Sequence, residues 1–109
     1  MKVIERIDSS GKVVGHGIWC PACDTIHHFP ADRWKFNGDM RQPTFSPSML
    51  LKCNTPDLAG YNPDVRSSIC HSVIADGKIM YCSDCTHEFK GKTVELPDIE
   101  DHIKLETES

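Results

Sequence analysis

Apolar and polar residues alternate in short runs along most of the chain, and each run ends in a turn-forming segment. A period of two residues predicts half-buried β-strands. Residues 3–7 and 12–19 flank the polar turn at 8–11 and predict a first hairpin. Further strands are predicted at residues 25–29, 49–51 and 94–96, and a surface loop at residues 54–64.

The clearest predicted element is a hairpin at residues 69–83, centred on the dipeptide Asp76-Gly77. Such a pair between two β-prone runs favours a two-residue turn, so Ala75 should face Lys78. Because side chains alternate between the two faces of a strand, counting outward from the turn separates two groups. Cys70, Ser83 and Cys85 are predicted on one face, and His71, Cys82 and Asp84 on the other.

No stretch keeps the helical period for three turns, and a chain of 109 residues suits one domain. We therefore predict a compact, mostly β, antiparallel domain over residues 1–97. One short helix would make it a small α+β fold. Residues 98–109 are acidic and polar and predict a flexible C-terminal tail.

Composition and charge indicate which classes of partner to expect and where in the cell the protein is located. The net charge is −4 and the basic residues are scattered, so we expect no nucleic-acid partner. No apolar run approaches the ~18 residues of a membrane helix, so we expect no membrane association. The charged start of the chain is unlike a signal peptide, which predicts a cytoplasmic protein. The oligomeric state stays open.

Six cysteines and six histidines in so short a chain are the strongest chemical signal. In a reducing compartment, metal ligation explains them better than disulfides do. Residues 20–23 and 82–85 repeat the Cys-x-x-Cys spacing with which one tight turn presents two thiolates to one ion. We predict that a Zn²⁺ ion staples the domain and that folding depends on it.

Two ligand sets are compatible with the predicted hairpin. The simpler set is that of a zinc ribbon, in which the two Cys-x-x-Cys pairs bind one ion: Cys20, Cys23, Cys82 and Cys85. In the second set Cys70 replaces Cys82, because Cys70 shares a hairpin face with Cys85.

The second ligand set leaves His71, Asp84 and His87 as a separate group. Histidine is a common general base and metal ligand near neutral pH, and a neighbouring carboxylate fixes its tautomer. These residues, with His27 as a further candidate, could hold a catalytic zinc with an open position for water. The alternative is that the histidines bond to backbone or complete the structural zinc site.

Two other groups of residues have competing interpretations. Ser46 and Ser48 could be nucleophiles near a histidine. Serines in a proline-rich segment such as residues 43–48 more commonly satisfy turn backbone, and we favour that interpretation. Trp34 and Phe36 could line a ligand site, but core packing is the more common role of such aromatic residues.

Longer motifs together resemble a family of small phage and bacterial proteins of unassigned function. The resemblance covers about residues 19–97. The motifs are CPAC at 20–23 with His27, WKFNGD at 34–39, PTFSPS at 43–48, CHS at 70–72, DGKI at 76–79, DCTH at 84–87 and GKTVELP at 91–97.

The resemblance implies a function and a ligand set. Some members are similar to proteins encoded beside ubiquitin-like proteins and their E1-like activating enzymes in bacterial antiphage operons, which implies a peptidase that trims or removes a ubiquitin-like protein. Other members are found in phages and prophages. In the family pattern an apolar residue usually stands at the position of Cys82, which implies the set Cys20, Cys23, Cys70 and Cys85 as metal ligands.

We therefore expect a small zinc-dependent hydrolase that acts as a peptidase on a ubiquitin-like protein, in a bacterial cell or an infected host cell. Its expected catalytic residues are His71, Asp84 and His87. The alternative is a non-catalytic, zinc-stabilised protein-interaction module of phage or prophage origin. In both cases the partner is a protein.

Overall fold

The computed structural model describes residues 1–103, and within them it contains nine strands and no α-helix. The prediction of a compact, mostly β, antiparallel fold is confirmed. Across the described residues, no helix has the length and apolarity needed to cross a bilayer. The elements are β1 (Val3–Ile7), β2 (Val13–Cys20), β3 (Thr25–Pro30), β4 (Lys35–Phe36), β5 (Phe45–Ser46), β6 (Met49–Cys53), β7 (Ser68–Ala75), β8 (Lys78–Tyr81), β9 (Thr93–Glu95) and a 3₁₀-helix at Ile99–Asp101.

The strands form three sheets, and all strand pairs are antiparallel. The first sheet has the order β1-β2-β3, the second consists of β4 and β5, and the third has the order β6-β7-β8-β9. Neighbouring strands in each sheet are therefore also consecutive in the chain. In the four-stranded sheet, β6 and β9 are the edge strands.

β7 and β8 form the central hairpin that the sequence predicts. Ala75 pairs with Lys78. Asp76 and Gly77 both have positive φ, at 51° and 78°, as a type I′ turn requires. A Cβ atom at Gly77 would also lie 3.1 Å from the Cα of Gln42. Glycine therefore meets both the conformational and the steric demands of this turn.

The four-stranded sheet has a buried face and a more exposed face. Along β7, Cys70, Ser72 and Ile74 are buried and the residues between them are half-buried. Along β8, Ile79 and Tyr81 are buried and their neighbours in the strand are exposed. This is the alternation that a pleated strand imposes. Adjacent residues of β7 thus supply side chains to opposite faces.

One apolar core joins the sheets. Phe45 stacks on Phe29 and Phe36, with ring centroids 4.3 and 4.8 Å apart. Trp34 contacts Phe29 edge-on at 5.5 Å, and offset or edge-on contacts are the favourable arrangements of aromatic rings. Trp34 and Phe36 pack against the core, in agreement with the favoured prediction. The buried apolar residues are Val3, Ile18, Cys20, Phe29, Phe45, Met49, Cys70, Ile74, Ile79, Tyr81, Cys85 and Leu96.

Residues 43–48 contain β5 of the small sheet and lead into β6. The prolines predict no regular ladder here, and the structure has only two paired residues, which are those of β5. The segment is anchored to the hairpin turn instead: the Gly77 N–H donates to the Pro43 carbonyl at 3.0 Å, and the Asp76 N–H donates to Thr44 Oγ1 at 2.9 Å. These bonds fix the start of the segment at the hairpin turn, and the pairing of β6 with β7 places its end beside β7.

The flexible tail predicted for residues 98–109 lies partly outside the described residues, since 104–109 are not among them. Within the described part, Ile99 is fully buried. Its N–H donates to the Met1 carbonyl at 2.9 Å. Residues 98–101 therefore contact the start of the chain.

Candidate active site and candidate metal centre

Three polar side chains meet on the exposed face of the four-stranded sheet. Ser48 Oγ lies 3.3 Å from His71 Nε2. The other ring nitrogen, Nδ1, lies 3.2 and 3.1 Å from the two carboxylate oxygens of Asp84. The imidazole therefore bridges a hydroxyl and a carboxylate, one at each of its nitrogens.

Each of the three residues is positioned by a different part of the fold. Ser48 is exposed and directly precedes β6; next to it, the Pro47 carbonyl accepts a bond from Trp34 Nε1 at 2.9 Å. His71 lies in the middle of β7, opposite Leu50. Asp84 lies in the turn that follows β8. The bridging histidine is thus on a strand that is paired on both sides, and its two partners come from the connections on either side of it.

The turn that carries Asp84 is tied to the backbone of His71. The Cys82 N–H donates to the His71 carbonyl at 2.8 Å, and the His71 N–H donates to Cys85 Sγ at 3.2 Å. These bonds continue the pairing of β7 beyond the last residue of β8. They hold the carboxylate at the level of the imidazole.

The hydrogen-bond partners determine the tautomer of His71. An ionised carboxylate only accepts hydrogen bonds, so the Asp84 contact requires a proton on Nδ1. Nε2 then carries the lone pair, and the Ser48 hydroxyl donates to it. This is the arrangement in which a histidine acts as general base toward a serine nucleophile and a carboxylate holds the ring in place. A contact of 3.3 Å between nucleophile and base is common before substrate binds.

Cys82 lies beside this group, since its Sγ is within 4.8 Å of ligand atoms of His71 and Asp84. Burial raises the pKa of its thiol, and the negative charges of Asp84 and Cys85 raise it further. A raised pKa lowers the fraction of thiolate, which is the nucleophilic form of cysteine. This environment disfavours Cys82 as a nucleophile beside Ser48.

A second cluster lies on the buried side, where β2, β3 and β7 meet. Ligand atoms of Cys20, Cys23, His27 and Cys70 all lie within 4.8 Å of one another. Cys20, His27 and Cys70 are buried, and Cys23 is exposed. Three sulfur ligands and one imidazole form a donor set of the kind that structural zinc sites use. These residues can hold a metal ion.

Local backbone geometry brings the first two thiols of the cluster together. Cys20 ends β2, and the Asp24 N–H donates to the Cys20 carbonyl at 2.8 Å. The Cys23 N–H points to Cys20 Sγ at 3.4 Å. Asp24 then adopts a positive φ of 53° as the chain enters β3. One tight turn between two paired strands therefore presents both sulfurs to the same point, as the spacing predicts.

The thiols of this cluster compete for negative charge. The pKa of Cys20 is lowered to about 3, because Cys70 hydrogen-bonds its thiolate and His27 and Tyr81 add to this against the opposing effect of burial. Tyr81 Oη lies 3.2 Å from the sulfur. The pKa of Cys23 is raised to about 11 by burial and by the charge on Cys20. A bound cation would offset this repulsion and allow more than one of these sulfurs to ionise.

Cys85 and His87 form a further group with Cys70. His87 Nδ1 accepts a bond from the Phe89 N–H at 3.2 Å. Its buried Nε2 has no hydrogen-bond partner within residues 1–103. The structure therefore places His87 with two buried cysteines, whereas His71 and Asp84 lie together on the other face.

The structure thus separates the residues singled out from the sequence into two sites. Cys20, Cys23 and Cys70 lie together, with His27 as the fourth member and Cys85 beside Cys70. Cys82, which the zinc-ribbon set requires, lies with the other group.

The sequence favours a role in turn formation for Ser48 over a role as nucleophile. In the structure, Ser48 contacts His71 because β6 pairs with β7 in the antiparallel direction. Residues 54–67 separate these two strands and contain no signal that predicts their register. The only available signal was the prediction of a strand at residues 49–51, immediately after this serine.

A family model described as bacterial ubiquitination-like system serine protease (BubE) matches residues 3–82. This stretch includes Ser48 and His71 and ends two residues before Asp84. Searches of curated proteins and of solved structures gave no significant match.

The match corrects the predicted mechanism. The sequence predicts a zinc-dependent hydrolase, and that prediction is wrong because the family is described as a serine protease. The assignment of His71, Asp84 and His87 as catalytic residues stays a prediction, and the structure places His87 apart from the other two. The expected link to a ubiquitin-like system agrees with the description. Since the match covers well over half of the 109 residues, the chain belongs to the family of bacterial ubiquitination-like system serine proteases (BubE).

Proposed function

We propose that this protein is a serine peptidase in which Ser48 is the nucleophile, His71 the general base and Asp84 the residue that orients the base. One observation carries the proposal: the hydrogen-bonded path from Ser48 Oγ through both nitrogens of His71 to the Asp84 carboxylate. The three groups come from three separate parts of the chain, and each has the partner that its role requires.

The chemistry follows from the donor and acceptor assignments. The Ser48 hydroxyl gives its proton to His71 Nε2 as Oγ attacks the carbonyl carbon of an amide. The tetrahedral intermediate collapses to an acyl ester, and the imidazolium gives its proton to the departing amine. Water then attacks the ester by the same route, which releases the carboxylic acid and restores the hydroxyl. Asp84 stabilises the imidazolium in both steps and stays ionised.

The substrate that we propose is a ubiquitin-like protein, cleaved at the amide bond that joins its C-terminal end to an extension or to a conjugated protein. The family description supports a substrate within a ubiquitination-like system. The site itself supports a macromolecular substrate, because Ser48 is exposed and Asp84 is 54% exposed on a sheet face. Within the part of the chain that the structure describes, no deep pocket surrounds this site that would restrict it to small molecules.

We further propose that the buried cluster holds one Zn²⁺ ion with a structural role. Three of the ligands would be Cys20, Cys23 and Cys70. The fourth ligand is either His27 or Cys85, and the geometry favours His27 because its ring nitrogen lies with the other three ligand atoms. The cluster and Ser48 lie on opposite faces of the sheet. The ion would therefore stabilise the strands that carry the site without contacting substrate.

A fluorophosphonate probe tests the proposed nucleophile, because it reacts with a serine hydroxyl only when a base activates it. We expect the purified chain to be labelled at Ser48, as read from the fragment ions of the tryptic peptide 42–52, which separate Ser48 from Ser46. Ser48→Ala should abolish labelling and reduce peptide cleavage by about 10⁴-fold or more.

Two matched controls complete this experiment. Ser46→Ala changes an exposed serine two residues earlier, and Cys82→Ala removes the neighbouring thiol; both should keep labelling within about twofold. Labelling that survives in Ser48→Ala, or that disappears in Cys82→Ala while the fold is retained, would show that the nucleophile is misassigned.

A further inference from the structure

The strand that follows the nucleophile lies at an edge. β6 begins one residue after Ser48 and is the terminal strand of the sheet order β6-β7-β8-β9. An edge strand presents a row of backbone N–H and C=O groups that can pair with another chain. The position of β6 brings such a row directly to the serine hydroxyl.

The backbone hydrogen bonds of β7 show which N–H and C=O groups of β6 point away from the sheet. In an antiparallel sheet, successive residues direct their N–H and C=O groups to opposite sides. The carbonyls of His71 and Ile69 accept bonds from Cys82 and Thr86, on the β8 side. The even-numbered residues of β7 therefore face β6.

The pairing of β6 with β7 completes this assignment. Cys70 pairs with Leu51 and Ser72 pairs with Met49. Met49 and Leu51 thus turn their backbone groups into the sheet. Leu50 and Lys52 turn theirs to the free edge, and within residues 1–103 no other backbone group bonds to them.

Exposed apolar side chains lie along this edge beside Lys52, whose ammonium group pairs with Asp57. Leu50 and Leu51 are 47% and 40% exposed, and exposed adjacent leucines on an edge strand are unusual because they invite pairing. Leu51, Lys52 and Cys53 also line a cavity of about 280 Å³ together with Cys23 and Cys70, so that cavity lies on the side of the buried cluster.

We propose that the substrate segment preceding the scissile bond adds to the outer edge of β6 as an antiparallel strand. This inference rests on the proposed function, since it uses Ser48 as the nucleophile. β6 runs away from Ser48, so a strand antiparallel to it runs toward Ser48 and delivers its carbonyl end to the hydroxyl. With one-to-one pairing, the substrate residues two and four positions before the scissile residue bond to Leu50 and Lys52.

This mode of binding selects substrates by their backbone. It requires an extended segment of about five residues before the scissile bond, with free N–H groups at alternate positions. A folded domain with an unstructured C-terminal end meets this requirement, whereas a bond within a helix or a compact loop does not. Backbone pairing with the outer edge of β6 would therefore explain how an exposed site selects an extended C-terminal segment.

N-methylated peptides test the pairing with the unaltered protein. A quenched-fluorescence peptide that the wild-type chain cleaves would be chosen from a library, and a methyl group placed on one amide nitrogen at a time. We expect kcat/KM to fall about tenfold for methylation two or four residues before the scissile residue. Methylation one or three residues before it should change kcat/KM by less than about threefold. Any other pattern overturns the proposal.

A protein variant provides an independent check. Leu50→Pro removes one outward N–H without removing a bond to β7, and proline is tolerated at such edge positions. Leu50→Ala keeps the N–H and changes only the side chain. We expect a KM increase for peptide cleavage that is at least threefold larger in Leu50→Pro than in Leu50→Ala; equal effects would contradict backbone pairing.

The labelling of Ser48 separates this inference from the proposed function. If fluorophosphonate does not label the wild-type chain, the proposed function fails. If labelling occurs but N-methylation acts without the alternating pattern, only the edge proposal fails. Circular dichroism of Leu50→Pro shows whether the sheet is retained, and the peptide series decides the question if it is not.

Discussion

Two neighbouring residues of β7 serve two different sites. Cys70 points to the buried face and joins Cys20, Cys23 and His27, while His71 points to the exposed face and joins Ser48 and Asp84. The pleat of the strand alone separates them, since successive side chains point to opposite faces.

Two neighbouring residues are divided between the sites in the same way after β8, where Asp84 belongs to the exposed group and Cys85 to the buried one. The two sites therefore share a backbone but differ in solvent access. A cation bound among the buried thiols would stabilise the strands around it, so we propose a structural role for that cluster. The exposed group is open to solvent, so we propose a catalytic role for it. On this proposal, one hairpin supplies residues both to a metal site and to a catalytic base.

The largest effect is expected from loss of the buried cluster. Cys20 is fully buried, and Cys20→Ser should abolish metal binding and unfold the domain, because ligation free energies of structural zinc are on the order of 10 kcal/mol. Circular dichroism and elemental analysis measure both outcomes. Cys53→Ser is the matched control, since Cys53 is exposed and belongs to neither cluster. A Cys20→Ser chain that keeps its thermal transition would contradict the structural role.

The second largest effect is expected from loss of the carboxylate in the exposed site. Asp84→Asn should lower kcat by about 10³–10⁴-fold, because an amide cannot hold the His71 tautomer that accepts the serine proton. Metal content and the thermal transition should be unchanged. Asp64→Asn removes a different exposed carboxylate and should leave kcat unaltered. If the metal is lost together with activity in Asp84→Asn, the two sites are not separate.

A smaller effect distinguishes the fourth metal ligand. With His27 bound to the metal, His27→Ala should weaken metal affinity by at least about 100-fold, while Cys85→Ser should preserve most of it. In the cobalt-substituted protein, the sulfur-to-metal absorption should correspond to three thiolates and should persist in Cys85→Ser. Four-thiolate intensity that falls in Cys85→Ser would instead support the ligand set implied by the family resemblance.

The smallest effect concerns a charge outside both sites. The pKa of Asp57 is lowered to about 2 by its bonds to Lys52 and Thr55. A lowered carboxyl pKa contributes stability above the unfolded-state value near 4, and that stability is lost as the pH falls toward 2. Asp57→Asn should therefore lower the melting temperature slightly, and by the same amount at pH 6 and pH 8, where the carboxyl group is ionised in both the folded and the unfolded chain. A difference that changes between pH 6 and pH 8 would rule out the carboxylate as its cause.

Much of the fold follows from local patterns. The alternation of apolar residues predicts the strands, and Asp76-Gly77 predicts the turn that pairs Ala75 with Lys78. Together they predict that Cys70 and His71 face opposite ways. These properties depend only on residues close in sequence, where the period of the strand and the turn type leave few alternatives.

The composition of each site depends on contacts that the local pattern does not contain. Ser48 meets His71 only because β6 pairs with β7 across the connection at residues 54–67. His27 meets Cys70 only because the first sheet packs on the buried face of the third.

The sequence by itself thus determined the strands, the central hairpin and which cysteines and histidines are candidates for chemistry. The tertiary structure alone decided that a serine partners the exposed histidine and that a histidine joins the buried thiols. The physical reason is that strand registry across a long connection and the packing of one sheet on another arise from burial summed over the whole domain, which no short segment encodes.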